Sequence, residues 1–106
     1  MDKLISLDST YSTDYERLSL FNLIAGNDEL WNLKHQIYDF EDHSINPEIL
    51  ESGIASSSKK LITIGFNLFN SYPTDSLIDC FTNLDDDNFD LVIQSIKIRF
   101  NRGGLE

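Results

Sequence analysis

Four residues in the first half of the chain have the types and the spacing of a metal site. His35, Asp39, Asp42 and His43 fall at i, i+4, i+7 and i+8. On a continuous helix His35 and Asp39 would share a face suited to a divalent cation, because imidazole nitrogens and carboxylate oxygens both ligate zinc. That face lies opposite Leu33 and Ile37, so it points to solvent and no pocket is implied. A histidine near a helix C-terminus is also favourable with the helix dipole on its own. The pattern predicts a solvated face, not a metal centre.

Two further runs carry charge at close quarters. Asp85-Asp86-Asp87-Asn88-Phe89-Asp90 has the charge of a calcium loop. It lacks the Asp-x-Asp-x-Asp-Gly order and the closing glutamate that calcium coordination needs. Acids just before a helix stabilise its positive end by about 0.3–1 kcal/mol each, so capping is the better account. Ser56-Ser57-Ser58-Lys59-Lys60 sets hydroxyls and two ammonium groups at a helix start, which is the chemistry of an anion site. It is not a P-loop, since the glycines and the Gly-Lys-Ser order are missing. Serine capping is the simpler reading, and a small-anion binder at Ser56–Lys60 stays as an alternative. Cys80 is the single cysteine, with no histidine near it in sequence and an apolar helix around it. No nucleophile–base–acid set, carboxylate pair or glycine-rich cofactor loop stands out. The expectation is a non-catalytic protein with no cofactor and no metal.

Charge is the least neutral property. Eighteen acids face eight bases, a net charge of −10. The balance is uneven: residues 1–58 carry eleven acids and three bases, residues 59–106 seven and five. Such a chain repels nucleic acid and anionic membrane and favours a partner with a basic surface. A length of 106 residues implies one domain, which buries about 65% of its unfolded surface, enough for a core without staples. No apolar run approaches the ~20 residues of a membrane span, and the apolar patch near the N-terminus is too short for a signal peptide. One cysteine fits a reducing cytoplasm.

The elements that must position these residues are helical. The stretch Ser56–Asn70 places Leu61, Ile62, Ile64, Gly65, Phe66, Leu68 and Phe69 on an arc of roughly 200°. An arc that wide implies neighbours on two sides, and Gly65 suggests that one of them comes close. Ser71-Tyr72-Pro73 closes this helix. Before it, Thr13 with Glu16 reads as a capping box for a helix over about 14–25, ended by Gly26 and Asn27. A second helix is expected over about 29–40, with Leu30, Leu33, Ile37 and Phe40 inward and Trp31 and Tyr38 as a flank. Asn46-Pro47-Glu48 starts a short turn of helix. After the central helix, Thr74 or Asp75 caps a helix over about 76–84, with Leu77, Ile78, Phe81 and Leu84 inward. The last helix, about 89–100, has Phe89, Val92, Ile93, Ile96 and Phe100 on its core face. Residues 1–12 read as a flexible, loosely docked arm, 13–102 as a single helical domain, and 103–106 as a cloning remnant. The fold class is all-α, a compact bundle of about five helices around the helix near 57–70.

Two surfaces suggest interaction. One is the carboxylate face of Glu29, Asp39, Glu41 and Asp42. The other is the pair Leu91 and Ile98, about 180° from the expected core face of the last helix, which could serve self-association as a homodimer.

Several stretches resemble a family of small bacterial proteins of unknown function. They are Ser19–Leu30, Ile37–Phe40, Ser56–Leu61, Gly65–Asn70, Leu84-Asp85, Asn88-Phe89 and Ile96–Phe100, together reaching over most of residues 15–100. That resemblance implies no established activity and assigns no functional residues. In size and charge the chain is also similar to phage-encoded defence inhibitors, including anti-CRISPR proteins, many of which set a carboxylate surface in a basic nucleic-acid groove. The leading expectation is therefore an acidic binding protein, an inhibitor of a nucleic-acid-binding protein such as a CRISPR nuclease. A helical regulatory or housekeeping domain acting as a homodimer is the alternative.

Overall fold

A computed structural model describes residues 1–74 and 76–102. Among the described residues the fold is all-α apart from one two-residue strand pair. Its order is α1 (Asp2–Asp8), α2 (Tyr15–Gly26), α3 (Asp28–Asn32), α4 (Lys34–Ile37), β1 (Tyr38–Asp39), β2 (Ser44–Ile45), a 3-10 turn (Pro47–Glu51), α5 (Ser56–Asn70), α6 (Leu77–Phe81) and α7 (Asp86–Arg99). A radius of gyration of 12.7 Å is that of one domain of about this length. Among the described residues no helix is long and apolar enough to cross a membrane.

Helix α2 is buried nearly all round, because it packs against α5 and α7 as well as α1 and α3. Leu20, Phe21, Leu23 and Ile24 are all fully buried. Helix α5 is one of its two main partners, with α7, and Leu61, Ile62, Ile64 and Phe66 are buried as its wide arc required. The close approach expected at Gly65 is present. A Cβ there would stand 2.8 Å from Leu20 Cδ1 and 3.0 Å from Leu23 Cδ1. Gly65→Ala gains about 1 kcal/mol of helix propensity but overpacks two fully buried leucines, which typically costs ~1–3 kcal/mol. The expected net result is a loss of about 1 kcal/mol, read as a lower urea midpoint at unchanged slope.

Several expectations are corrected by tertiary contacts. Residues 2–8, expected within a flexible, loosely docked arm, form a helix: Leu4 is fully buried and Asp8 nearly so. Ser9, at φ 56°, ends α1 in the left-handed region. The cap of α2 is Asp14, whose carboxylate accepts from the Arg17 N–H, in place of Thr13. The helix expected over 29–40 breaks at Leu33 and ends at Ile37. Asn46 takes over there, its N–H bonding the Ile37 carbonyl at 2.8 Å and its Nδ2 the Gln36 carbonyl at 3.0 Å. Chain continuing past Ile37 pairs back on itself, Tyr38 opposite Ile45 and Asp39 opposite Ser44.

Helix α5 runs as expected but is capped by Ala55, with no side-chain bond from the serines, and Ser58 is buried. Its C-terminal close is as expected, with Ser71 left-handed at φ 64°. Ser76 caps α6 by accepting from the Asp79 N–H. In so short a helix Cys80 takes an inward place, and Ile78 is 78% exposed. The expected cap at Asp75, the inward place of the Leu77 side chain and the tail 103–106 lie outside the described residues.

The last helix is rotated from expectation. Val92, Ser95 and Ile98 are its buried residues, whereas Phe89 and Phe100 are 43% and 60% exposed. The reason lies on α2 and just after it. Asn22 Nδ2 donates to Ser95 Oγ at 2.9 Å, and Asn27 Nδ2 donates to Asn88 Oδ1 at 3.3 Å. Polar pairs therefore select a narrower, mixed face over the face with the largest apolar residues.

Candidate functional site

The most constrained polar group in the molecule is the Asp8 carboxylate, whose side chain is 2% exposed. Helix α1 delivers it, and three other segments meet it. Tyr38, from β1, donates its hydroxyl to Oδ1 at 2.8 Å. His43, from the hairpin loop, places Nδ1 2.6 Å from the same oxygen. An ionised carboxylate only accepts, so the ring donates from Nδ1. Thr10 Oγ1 donates to Oδ2 at 2.6 Å, and the Arg17 guanidinium lies 3.7 Å away.

Arg17 ties this group to the rest of α2. Its Nε donates to the Tyr38 hydroxyl at 2.8 Å, Nη1 to Asp14 at 2.8 Å and Nη2 to the His43 carbonyl at 2.8 Å. Its guanidinium carbon also lies 5.2 Å from the Phe69 ring centroid. Beneath the network the Tyr38 ring packs edge-on to Phe21, Phe40 and Phe69. Burial works to raise the Asp8 pKa, but the bonds from Thr10, His43 and Tyr38 and the charge of His43 outweigh it, so the carboxyl is held below the usual aspartate value. Tyr38 is driven the other way: burial raises its pKa, Arg17 opposes that, and Asp8 adds to it. The result is an ionised carboxylate under a neutral phenol.

A buried aspartate that orients a half-exposed histidine has the form of a base–orienter pair. What the network does is fasten α1 and the hairpin onto α2.

The candidate metal residues are dispersed by this arrangement. His43 turns to Asp8, while His35 packs on Phe40 with ring centroids 5.4 Å apart. Asp39 Oδ1 accepts from the N–H groups of Glu41 and Asp42 at 2.9 and 3.1 Å, building the hairpin turn. Among the described residues no three His, Cys, Asp or Glu side chains converge to hold a metal ion.

The anion reading at Ser56–Lys60 meets opposition. Ser56, Lys59, Lys60 and Thr63 line a groove of about 380 Å³, but Asp79 lines it too. The Lys60 ammonium is committed to the Thr82 carbonyl.

The surface expected around Glu29, Asp39, Glu41 and Asp42 divides in two. Asp39, Glu41 and Asp42 sit in and around the hairpin turn, all exposed, beside a groove lined by His35, Phe40, Ser44 and Asn46. Glu29 belongs to another place. It lies in the first turn of α3, whose N-cap Asn27 bonds Asn88 in the first turn of α7.

Leu91 and Ile98 are not an exposed pair. Ile98 is 1% exposed, and Leu91 is half-buried, lying where a Cβ on Gly26 would fall 2.3 Å from its Cδ1. Both instead line a groove of about 560 Å³ along α7, together with Gly26, Asp87, Asp90, Ile93, Gln94 and Lys97.

With that geometry described, comparison with known proteins adds one finding. Residues 3–104 match a family of unknown function, DUF6075. The chain belongs to that family. The match runs from within α1 through α7 and covers the Asp8 network. Neither the curated proteins nor the solved structures contain a match.

Sequence reading missed Asp8, Thr10 and Arg17 altogether. Periodicity places a buried apolar residue but says nothing about a carboxylate whose donors lie up to 35 positions away. One signal was available: Tyr38 has a hydroxyl that needs a partner when its ring is buried. The size-and-charge likeness to defence inhibitors gains no support from the family match.

Proposed function

We propose that this chain is a non-catalytic binding protein whose exposed carboxylates engage a basic surface on a partner protein. One observation carries the reading: five of the chain's eight lysines and arginines are already engaged by other groups. Arg17 is held by Asp8 and Asp14, and Arg99 by Glu16 and the Leu68 carbonyl. Lys3 and Lys34 lie over the Trp31 ring, and Lys60 bonds Thr82. Ion pairs among the described residues thus involve only Asp8, Asp14 and Glu16 of the acids. Glu29, Asp39, Glu41, Asp42, Asp86, Asp87 and Asp90 remain exposed and unneutralised. A field of that sign attracts and orients a cationic partner and repels nucleic acid.

A nucleic-acid channel is one protein surface with the matching charge, and an inhibitor occupying such a channel is the specific form we favour. The test is affinity capture from a native host on the immobilised chain, followed by elution with salt and, separately, with nucleic acid. Charge pairs at a protein surface are screened over ~8–10 Å at physiological ionic strength. The captured protein is therefore expected to release between about 0.1 and 0.5 M salt and to be displaced by nucleic acid. A partner retained equally at both salt concentrations overturns the electrostatic reading. One released by salt but untouched by nucleic acid overturns the inhibitor form.

A further inference from the structure

We propose that α7 pairs with the α7 of a second copy of this chain, antiparallel across a two-fold axis, through an apolar stripe that the monomer leaves largely outside. This goes beyond the binding reading and does not rest on it. Phe89, Ile93, Ile96 and Phe100 follow one another at steps of four, three and four residues. That is the alternating spacing of a coiled-coil seam, in which side chains of one helix fill the holes of another. The rotation of α7 turns the seam away from the core. Asn22 and Asn27 hold Ser95 and Asn88, and the buried face is Val92, Ser95 and Ile98. Phe89 and Phe100 are left 43% and 60% exposed, with Ile93 and Ile96 half-buried between them. Helix α6 extends the stripe at one end. Phe81 meets Phe89 edge-on at 5.6 Å between centroids, and Ile78, one turn before Phe81, is exposed.

Charge selects both the occupant and its direction. Asp90 and Lys97 are seven residues apart, so they project within about 20° of each other on the same flank of the stripe. Neither makes an ion pair among the described residues. Antiparallel helices related by a two-fold axis bring that same flank together with the ends exchanged. Asp90 of each copy then meets Lys97 of the other, and the pair is made twice. In the same register Phe89 lies opposite Phe100 of the second copy, and Ile93 opposite Ile96. One patch is therefore complementary to itself in both its apolar and its charged residues, as an isologous interface requires.

Two terms limit the affinity. Each copy carries a net charge of −10, which opposes approach, although charges away from the seam are screened over ~8 Å at physiological salt. One helix pair with a flanking helix also buries less than the ~800 Å² per partner of a standard interface. The expected dimer is accordingly weak, with a dissociation constant on the order of 100 µM.

The test is sedimentation of the full chain over about 10–1,000 µM, a range that brackets a weak interface, with amide chemical shifts followed on dilution. A monomer–dimer equilibrium is expected, and the amides of Phe89, Ile93 and Phe100 should move while those of the hairpin turn do not. Phe89→Ser and Phe100→Ala should each weaken the dimer about tenfold or more, because emptying one apolar site in a two-fold seam empties two. D90K should weaken it about fivefold or more even though it makes each copy less negative, since it sets like charges together twice. K97D should do the same. D90K/K97D should recover to within about threefold of wild type, and an equimolar mixture of the two single variants should associate where neither does alone. E48Q/E51Q, on the 3-10 turn, should stay within about twofold. Circular dichroism of each variant keeps loss of folding separate from loss of pairing. A chain that stays monomeric throughout the range overturns the proposal, and so does a dimer that survives Phe89→Ser and Phe100→Ala. A dimer that both aromatic changes abolish but that D90K/K97D fails to restore overturns the antiparallel pairing.

Discussion

Replacing Asp8 with alanine is expected to lower the unfolding free energy by about 3 kcal/mol, the low end of what removing one member of a buried ion pair costs. The low end applies because the abandoned partners are not sealed in: Arg17 and His43 side chains are 28% and 50% exposed and can rehydrate. Tyr38 cannot, since it is fully buried, but its hydroxyl keeps the bond from Arg17 Nε. Asp8→Asn should cost less, because an amide oxygen still accepts while the charge is gone. The pH dependence identifies the carboxylate as the cause. Its folded-state pKa lies below the ordinary one, so its contribution is complete above the unfolded value of about 3.9. That contribution is lost as pH falls through the lower folded value. Wild type and Asp8→Asn should therefore differ in urea unfolding above about pH 3.9 and converge in acid below it. A difference that persisted undiminished in acid would remove the carboxylate from the explanation.

How far the fold was legible follows from what each signal measures. Periodicity over fifteen residues located α5 and its arc, and Gly65 revealed a close approach, because both are consequences of one helix needing neighbours on two sides. The same method mis-rotated α7. It ranks faces by apolar size, so it chose Phe89 and Phe100, which the structure exposes. The winning face contains Asn88 and Ser95, whose value depends on Asn27 and Asn22 more than sixty positions earlier. The hairpin over 38–45 was hidden for a related reason. Residues 29–40 have helical spacing, but Asn46 holds the carbonyls of Gln36 and Ile37, and a single-residue propensity cannot report that competition. At the candidate surface the acids were legible and their grouping was not. Glu29 lies on α3, while Asp39, Glu41 and Asp42 belong to the hairpin that the break after Ile37 creates.

The second large effect is expected at Phe21, whose ring links the apolar core to the Asp8 network. Phe21 is fully buried, meets Tyr38 edge-on at 5.1 Å between centroids and stacks with Phe40 at 6.1 Å. Phe21→Ala should cost about 4 kcal/mol, within the ~3–5 kcal/mol usual for emptying a buried aromatic site. Phe100→Ala, at an exposed ring, should stay within about 0.5 kcal/mol. The more demanding consequence concerns coupling. Phe21 positions the Tyr38 ring from below while Asp8 holds its hydroxyl from above, so loosening either changes what the other contributes. A cycle of Phe21→Leu with Asp8→Asn, both mild enough to leave a folded chain, should therefore be non-additive. Residues that share a contact typically show interaction energies of about 0.5–3 kcal/mol. The sign follows from the geometry: once the ring is loosened, the carboxylate's bond to Tyr38 is already weakened, so the double variant loses less than the sum of the singles. Additivity within ~0.3 kcal/mol would mean that the aromatic cluster and the carboxylate network stabilise the fold independently, despite meeting at one tyrosine.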